Sequence, residues 1–292
     1  MSSCRAGQGL WEATDKRAVW PLASPRYNAV VAQIRRGITQ DLKPFVEKGI
    51  GLDALAVYFQ PLVNLASGEI FAYEALARPS SAIVNNPLKL FDVAIERDIC
   101  GELGRLLRAL AIDGCRDWPL FLNIHPRELD DGWLTRPDDP LYRHEQGVFL
   151  EITESVPMKY EDHRRGTLLE LRGKGINLVV DDLGAGYSNL KYIADLNPEI
   201  VKIDRELVAN LTVNSRLFLL VSAVVRLCID LDAKVVAEGI ETAEELEAVK
   251  AAGAHYGQGY LLGRPAREVA PRPSVREASP PRPRGRIIEP PP

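Results

Sequence analysis

Cysteine and histidine are scarce in this sequence. The four cysteines, Cys4, Cys100, Cys115 and Cys228, are scattered along 292 residues, and none forms a CxxC motif or stands near a histidine at metal-ligand spacing. The pattern argues against a disulfide framework and against a zinc site, because both need cysteines at defined separations. A reducing cytoplasm is therefore the expected location.

A large excess of one charge and a long apolar run are also missing. The 36 basic and 40 acidic residues leave a net charge of −4, which gives no field that attracts nucleic acids, so we expect no DNA or RNA binding. The longest apolar run, 217–231, is too short to span a bilayer and contains Arg226 and Asp230. We expect no membrane span and interpret the run as a helix buried on most of its faces. The first residues lack a charged start followed by an apolar stretch, so no signal peptide is expected.

Composition divides the chain into three regions. Residues 1–50 have no strand pattern but show some helical spacing, so we predict an N-terminal extension that is partly helical. Residues 51–268 alternate short apolar runs with longer amphipathic ones and are predicted to form the folded domain. Residues 269–292 contain eight prolines interleaved with arginines. This tail is predicted to be disordered, because proline cannot donate backbone hydrogen bonds.

Eight short apolar runs recur along the folded domain. They cover 57–65, 70–76, 120–124, 148–152, 176–180, 200–203, 234–237 and 256–262. Stretches with helical period cover 88–111, 164–174, 214–230 and 242–251. Apolar strands alternating with helices predict a parallel sheet covered on its faces, and eight strands fit a closed barrel. Only four residues join the first two runs, too few for a parallel crossover. The sequence therefore predicts an α/β fold, a modified (βα)8 TIM-like barrel with one antiparallel strand.

Polar side chains stand at nearly every predicted strand end, where such a barrel carries its chemistry. They are Glu74, Arg78, Asn123, Glu151, Glu154, Asp181, Asp182, Lys202, Asp204, Glu238, Glu241, Gln258 and Arg264. Carboxylates gathered at one end of a barrel repel one another and raise each other's pKa values. A compensating cation is therefore expected, and a divalent metal ion is the simplest one.

The types of these side chains narrow the choice of metal. Carboxylates and one amide, without cysteine or paired histidines, favour Mg²⁺ or Mn²⁺ over zinc or copper. Asp181 and Asp182 can serve two ions if the chain turns both side chains inward once the strand has ended, and two ions suit in-line phosphoryl displacement. A structural calcium ion is the alternative. A barrel glycosidase with paired carboxylates is a further alternative, to which Lys202, Asn123 and the aspartate pair are surplus.

Seven sequence blocks, taken together, resemble one known family. They read YFQPLVNLASGEIFAYEALAR, FLNIHP, LEITES, DDLGAGYSNL, PEIVKIDREL, VVAEGIET and QGYLLGRP. In this order they resemble the EAL-domain family, the bacterial phosphodiesterases that cleave cyclic di-GMP. The family takes its name from the tripeptide that is Glu74-Ala75-Leu76 here. The resemblance covers about residues 54–266.

The resemblance implies a role for each matching residue. The implied metal ligands are Glu74, Asn123, Glu151, Asp181, Glu238 and, for the second ion, Asp182. The implied catalytic residues are Glu74, Lys202, which holds the attacking water, and Glu154, which steadies the loop after DDLGAGYSNL. Residues implied to contact the substrate or to support the metal site are Gln60, Leu76, Arg78, Asp204, Gln258 and Tyr260.

The implied reaction is hydrolysis of one phosphodiester bond of cyclic di-GMP to linear pGpG, with Mg²⁺ or Mn²⁺ in a two-metal site. The alternative is a non-catalytic cyclic di-GMP receptor or protein-interaction module on the same fold. The loop DDLGAGYSNL departs from the family's usual DDFGTGYSSL at Leu183, Ala185 and Asn189. This departure bears on the turnover rate and on the homodimer that the resemblance leaves open.

Overall fold

The computed structural model of the protein describes residues 55–79, 86–153, 161–185 and 190–272, without the side chains of 161–163 and 192. The predicted N-terminal extension lies outside the described residues, as does the tail beyond residue 272. Glu154 and positions 186–189 of the DDLGAGYSNL loop lie outside them too.

Eight strands form a closed barrel in which each strand pairs with its neighbours in chain order. They are Leu55–Asn64 (β1), Ile70–Pro79 (β2), Leu120–Asn123 (β3), Val148–Thr153 (β4), Asn177–Leu183 (β5), Ile200–Ile203 (β6), Lys234–Ala237 (β7) and Tyr256–Gly257 (β8). Strand β1 runs antiparallel to both β2 and β8, whereas the other neighbours pair in parallel. The predicted modified barrel with one antiparallel strand is confirmed.

Helices cover the outside of the barrel. They are Pro87–Glu96 (α1), Cys100–Gly114 (α2), Pro126–Asp130 (α3), Glu161–Gly173 (α4), Leu190–Leu196 (α5), Arg205–Val208 (α6), Arg216–Asp230 (α7) and Ala243–Ala252 (α8), with a 3-10 turn at Pro140–Arg143. The single helix predicted over 88–111 is two helices, because Asp98 takes a left-handed φ of 54° between them. At the start of α8, Thr242 and Glu245 form a reciprocal capping box.

Helix α7 contains most of the longest apolar run, and the prediction that this run is buried on most of its faces is wrong. Its buried residues, Val221, Val225 and Cys228, form one stripe. Leu219 is 65% exposed, because a helix packed on the outside of a barrel buries only the face toward the strands. Within the described residues, no helix combines the length and the apolar character needed to cross a bilayer.

After β8 the chain stays on the surface of the barrel. Phe59 and Ala266 exchange two backbone hydrogen bonds of 2.7 and 2.9 Å. Further on, the Ala270 N–H donates to the Tyr73 hydroxyl, and Trp118 Nε1 donates to the Ala270 carbonyl over 2.8 Å. The chain is thereby attached near the start of β3, at the end of the barrel opposite the predicted site.

An apolar layer fills the lumen of the barrel. It consists of Leu62, Phe71, Ala72, Phe121, Phe149, Val179, Ile200, Val236 and Tyr256. Within it, the rings of Phe121 and Phe149 stack with centroids 4.5 Å apart, and those of Phe71 and Tyr256 stack at 4.2 Å. The lumen is therefore a packed core and not a channel.

A candidate active site at the carboxyl end of the barrel

The next inward-facing layer of the barrel is polar. Along β2 to β8, each member of this layer comes two positions after a residue of the apolar lumen layer, as Asn123 comes after Phe121. Strand β1 runs in the opposite direction, and there Gln60 comes two positions before Leu62. Residues two apart in a strand share a face. The layer consists of Gln60, Glu74, Asn123, Glu151, Asp181, Lys202, Glu238 and Gln258. All eight were singled out from the sequence, and the fold brings them to one end of the barrel.

Lys202 lies at the centre of this polar layer. Its side chain is 1% exposed, and its Nζ lies 2.6 Å from Glu151 Oε1 and 2.6 Å from Glu238 Oε1. The same Nζ lies 3.2 Å from Asp181 Oδ1 and 3.5 Å from Glu74 Oε2. One buried ammonium therefore faces four carboxylates, an excess of negative charge that is costly away from water.

Two amide side chains orient Glu74. Asn123 Nδ2 donates to Glu74 Oε1 over 3.0 Å, and Gln258 Nε2 donates to Glu74 Oε2 over 2.7 Å. Burial alone would raise the pKa of Glu74, but Lys202 and the two amide donors together lower it. Gln60, which pairs directly with Glu74 across the hairpin, instead donates from Nε2 to the Gly263 carbonyl over 3.0 Å.

A backbone irregularity brings Asp181 and Asp182 to the same site. We expected both side chains to turn inward because the strand had ended, but β5 continues through Leu183. Asp182 takes a left-handed φ of 61°, and the pairing with β6 shifts register between Val180 and Leu183. A bulge of this kind re-aims side chains that would otherwise alternate between the two faces.

The crowded carboxylates have shifted pKa values. Burial raises the pKa of Glu238 to about 8, although the Lys202 ammonium opposes the shift. Burial and the adjacent carboxylate raise the pKa of Asp182 to about 6. Burial, reinforced by repulsion from other carboxylates, also raises the pKa of Glu151 well above its ordinary value. Burial would lower the pKa of Lys202, but the surrounding carboxylates raise it and keep the side chain an ammonium.

The donor set fits a small divalent cation. One oxygen each of Asp181, Asp182 and Glu238 lies within 4.8 Å of the others. Among the described residues, no group donates a well-aligned hydrogen bond to either buried oxygen of Glu151 or to Oδ1 of Asp181. Buried oxygens need a partner, and carboxylate oxygens are the ligands preferred by Mg²⁺ and Mn²⁺.

The rim above the polar layer carries further predicted residues. Leu76 and Arg78 follow Glu74 along β2 at intervals of two and share its face. Burial lowers the pKa of Arg78, while nearby Glu74, Tyr260 and Tyr58 act in the opposite direction. Tyr58 pairs with Leu76 across the hairpin. It was not predicted as a site residue, because an aromatic residue in an apolar strand gives no signal beyond core packing.

Asp204 supports the loop beside the aspartate pair. Its Oδ1 accepts a hydrogen bond from the Glu206 N–H over 2.7 Å and so caps α6, while its own N–H donates to the Leu183 carbonyl. Its charge contributes to the raised pKa of Asp182. The prediction for Glu154 lies outside the described residues.

A second buried ionic cluster, which the sequence did not reveal, lies outside the barrel. Arg108 on α2 forms ion pairs with Glu128 on α3 and with Asp139, to which its Nη2 donates over 2.8 Å. Glu128 also accepts from the His125 N–H, and Asp139 accepts from the Leu141 N–H, each over 3.0 Å. Arg108 is followed by a run of apolar residues in an amphipathic helix, so its burial had no separate signal.

Related proteins contain the same kind of sequence. Protein y4lL of Sinorhizobium fredii, described as uncharacterized, is 32% identical over 239 residues, which cover 77% of this chain and 28% of that protein. MucR of Pseudomonas aeruginosa, named a bifunctional diguanylate cyclase/cyclic di-GMP phosphodiesterase, is 30% identical over 249 residues, which cover 80% and 36%. The chain thus spans about a third of the length of these relatives.

Solved structures share the fold. The MucR phosphodiesterase in complex with c-di-GMP is 31% identical with a TM-score of 0.65, and the match covers 73% of this chain and 97% of that one. BlrP1 of Klebsiella pneumoniae, in a manganese and cyclic di-GMP complex, is 30% identical with a TM-score of 0.60, over 73% and 56% of the two chains.

The sequence model of the EAL domain matches residues 46–265. This span contains the tripeptide Glu74-Ala75-Leu76 on β2 and every residue of the polar layer around Lys202. It covers the whole described barrel, and the chain therefore belongs to the EAL domain family.

Proposed function

We propose that this chain is a cytoplasmic phosphodiesterase that hydrolyses cyclic di-GMP to linear pGpG with a pair of Mg²⁺ or Mn²⁺ ions. One observation supports this above all. A buried lysine faces four carboxylates at the carboxyl end of an EAL-domain barrel. The names of related proteins, MucR and the P. aeruginosa cyclic di-GMP phosphodiesterase NbdA, support the choice of substrate.

The proposed ligands of the ions are five members of the polar layer, namely Glu74, Asn123, Glu151, Asp181 and Glu238. Asp182, beside that layer, is proposed to serve the second ion. Because Asn123 donates to Glu74 from Nδ2, its Oδ1 is available to a cation. When bound, the ions would supply an acidified water and neutralise charge on the phosphate.

The proposed roles of the cationic side chains follow from their positions. Lys202 stays protonated among the carboxylates, so it can hold the attacking water and stabilise negative charge as it develops on the phosphate. Arg78, on the rim above Glu74, can clamp phosphate oxygens with its planar fork. Glu154 is proposed to steady the loop after DDLGAGYSNL. The water oxygen bonds to phosphorus and gives up a proton, the bond to the 3′ oxygen breaks, and that oxygen takes up a proton, so that the protons balance.

The test is to incubate the protein with cyclic di-GMP and Mg²⁺ or Mn²⁺ and to separate the nucleotides by chromatography. We expect pGpG from the wild-type protein. The variant Glu74→Ala should reduce turnover by about 10²-fold or more, because it removes a ligand and the acceptor of two amide donors. Glu247→Ala, at a side chain 70% exposed on α8, is the matched control and should leave turnover unchanged.

Absence of linear product from the wild-type protein with either saturating ion would contradict the proposal. Calorimetry in a metal chelator then separates the remaining candidates. Tight binding of cyclic di-GMP without hydrolysis would identify a receptor on the same fold, whereas no binding would remove cyclic di-GMP as the ligand.

A further inference from the structure

An arginine lies over the ring of a tyrosine at the rim of the barrel. Arg264 Cζ lies 4.2 Å from the centroid of the Tyr260 ring. Tyr260 is 42% exposed, and Arg264 is exposed as well. Among the described residues, no carboxylate lies within 4.0 Å of the Arg264 guanidinium. Within the part of the chain that the structure describes, Arg264 is thus an exposed planar cation outside any ion pair with a carboxylate.

The backbone that carries this pair is fixed to the barrel. At Gly259 a Cβ would lie 2.1 Å from the Ile240 carbonyl oxygen, so only glycine allows the chain to approach so closely. Gly263 is held in the same way, because a Cβ there would lie 2.4 Å from Pro61 Cγ. Its carbonyl accepts the hydrogen bond from Gln60. The backbone next to Tyr260 and Arg264 is therefore packed closely against the barrel before any ligand binds.

This pair lies beside the proposed site of phosphate binding. Gln258, two residues before Tyr260, donates to Glu74 within the polar layer. Tyr260 also lies close enough to Arg78 to oppose, together with Glu74 and Tyr58, the lowering of the Arg78 pKa by burial. Through Gln258 and Gly263, which contact Glu74 and Gln60, the segment that carries Tyr260 and Arg264 is attached to the polar layer.

A cyclic dinucleotide needs such a surface. It has two phosphodiester groups and two purine bases, whereas the carboxylates, Lys202 and Arg78 account for a single reacting phosphodiester. Guanidinium planes and aromatic rings are the groups on which proteins stack unpaired bases. The Arg264 guanidinium lies over the Tyr260 ring and belongs to an exposed residue, so a ligand base can reach it.

We propose that Arg264, positioned by Tyr260, stacks on a guanine base of cyclic di-GMP and so sets the affinity for this substrate. The inference rests on the proposed function for the identity of the ligand. The inference adds Arg264 as a substrate-binding residue that acts by stacking and takes no part in the proposed hydrolysis.

Three variants test this role: Arg264→Gln, Arg264→Lys and, as a matched control, Arg272→Gln. Arg272 also lies over an aromatic ring, 5.4 Å from that of Trp118, but at the opposite end of the barrel. The measurements are KM and kcat for cyclic di-GMP with Mn²⁺, and Kd by calorimetry in a chelator. We expect both Arg264 variants to raise KM and Kd roughly tenfold with a smaller change in kcat, because lysine lacks the planar face. Arg272→Gln should behave like the wild type.

Two results would overturn the inference alone. The first is a KM and Kd in Arg264→Gln equal to those of the wild type. The second is full retention of affinity in Arg264→Lys, because a charge contact without stacking would then account for binding. A wild-type protein that binds cyclic di-GMP without cleaving it would refute the proposed function, and the Kd values would still decide the role of Arg264. A wild-type protein that neither binds nor cleaves it would overturn both.

Discussion

The protein buries two ionic clusters, and they differ in the balance of their charges. Outside the barrel, the Arg108 guanidinium meets two carboxylates, Glu128 and Asp139, and each of these also accepts a backbone N–H. Inside the mouth, the Lys202 ammonium faces four carboxylates. Both oxygens of Glu151 there lack a well-aligned donor among the described residues.

The difference shows that burial alone does not mark a functional site. A guanidinium can satisfy two carboxylates with its fork, and the Arg108 cluster joins α2, α3 and the 3-10 turn without needing anything else. The Lys202 cluster has more acceptors than its own donors can serve. Its excess of three carboxylates over the ammonium calls for cations from outside the protein, whereas the Arg108 cluster has an excess of only one.

The comparison is tested most strongly by removing one carboxylate from each cluster. Glu151→Gln should lower kcat by about 10²–10³-fold, because it removes a proposed ligand and a neighbour of the Lys202 ammonium. Glu128→Gln should keep kcat and KM close to the wild-type values but lower the free energy of unfolding by about 3 kcal/mol. Steady-state kinetics and urea unfolding measure the two effects. A similar loss of kcat in both variants would contradict the distinction.

Removing the cation from each cluster should separate them by their response to metal. Lys202→Met and Arg108→Met should each lower the free energy of unfolding in a chelator by about 3–5 kcal/mol, since each leaves buried carboxylates without their partner. Mn²⁺ should recover much of the loss in Lys202→Met and none of it in Arg108→Met. Urea unfolding with and without Mn²⁺ measures this recovery. Equal recovery in the two variants would show that the clusters do not differ as described.

The pH dependence of stability should sharpen the comparison further. Glu238 has a pKa of about 8 in the folded protein against an ordinary value of 4.5. Between these values the folded state retains a proton that the unfolded state has lost, so the metal-free protein loses stability as the pH rises from about 4.5 to 8. The contribution of this group is at most about 1.4 kcal/mol per pH unit. Urea unfolding of the wild type and Glu238→Gln in a chelator should show a shallower decline in the variant, and equal slopes would refute the assignment.

The smallest effect is expected for an ion pair in water. Arg226 and Asp230 on α7 lie 2.8 Å apart, with side chains 74% and 51% exposed. Solvent screening leaves such a pair with little net stabilisation. Arg226→Ala should therefore leave the unfolding midpoint within experimental error in a thermal melt. A clear decrease would show that exposed pairs also contribute, and it would weaken the contrast between the two buried clusters.

Much of the site was predictable because β-structure repeats every two residues. Once Ile200 was interpreted as part of a strand, Lys202 had to share its face, and the same argument applies to Val236 and Glu238. The barrel itself followed from the number of apolar runs and from the short link between the first two. The last run, 256–262, was predicted as one strand, but β8 has only the two residues Tyr256 and Gly257. Beyond it the chain packs closely against Ile240 at Gly259.

Features that depend on contacts between distant residues were not predictable. The left-handed conformation of Asp182 and the register shift beside it have no signature in an apolar run followed by two aspartates. The break at Asp98 is a local left-handed turn, and it was missed because the helical period continues on both sides of it. Arg108 pairs with residues 20 and 31 positions away, and no local pattern indicates such a triad.

The reversed first strand determines where the polypeptide enters the barrel. Leu55 pairs with Pro79, so β1 starts at the end of the barrel that carries Arg78. In a regular βα barrel the first strand would start at the other end. Leu55, the first described residue of β1, therefore lies at the same end of the barrel as the polar layer around Lys202. The aromatic packing of the lumen, with Phe121 against Phe149, lies deeper in the barrel than this end of β1.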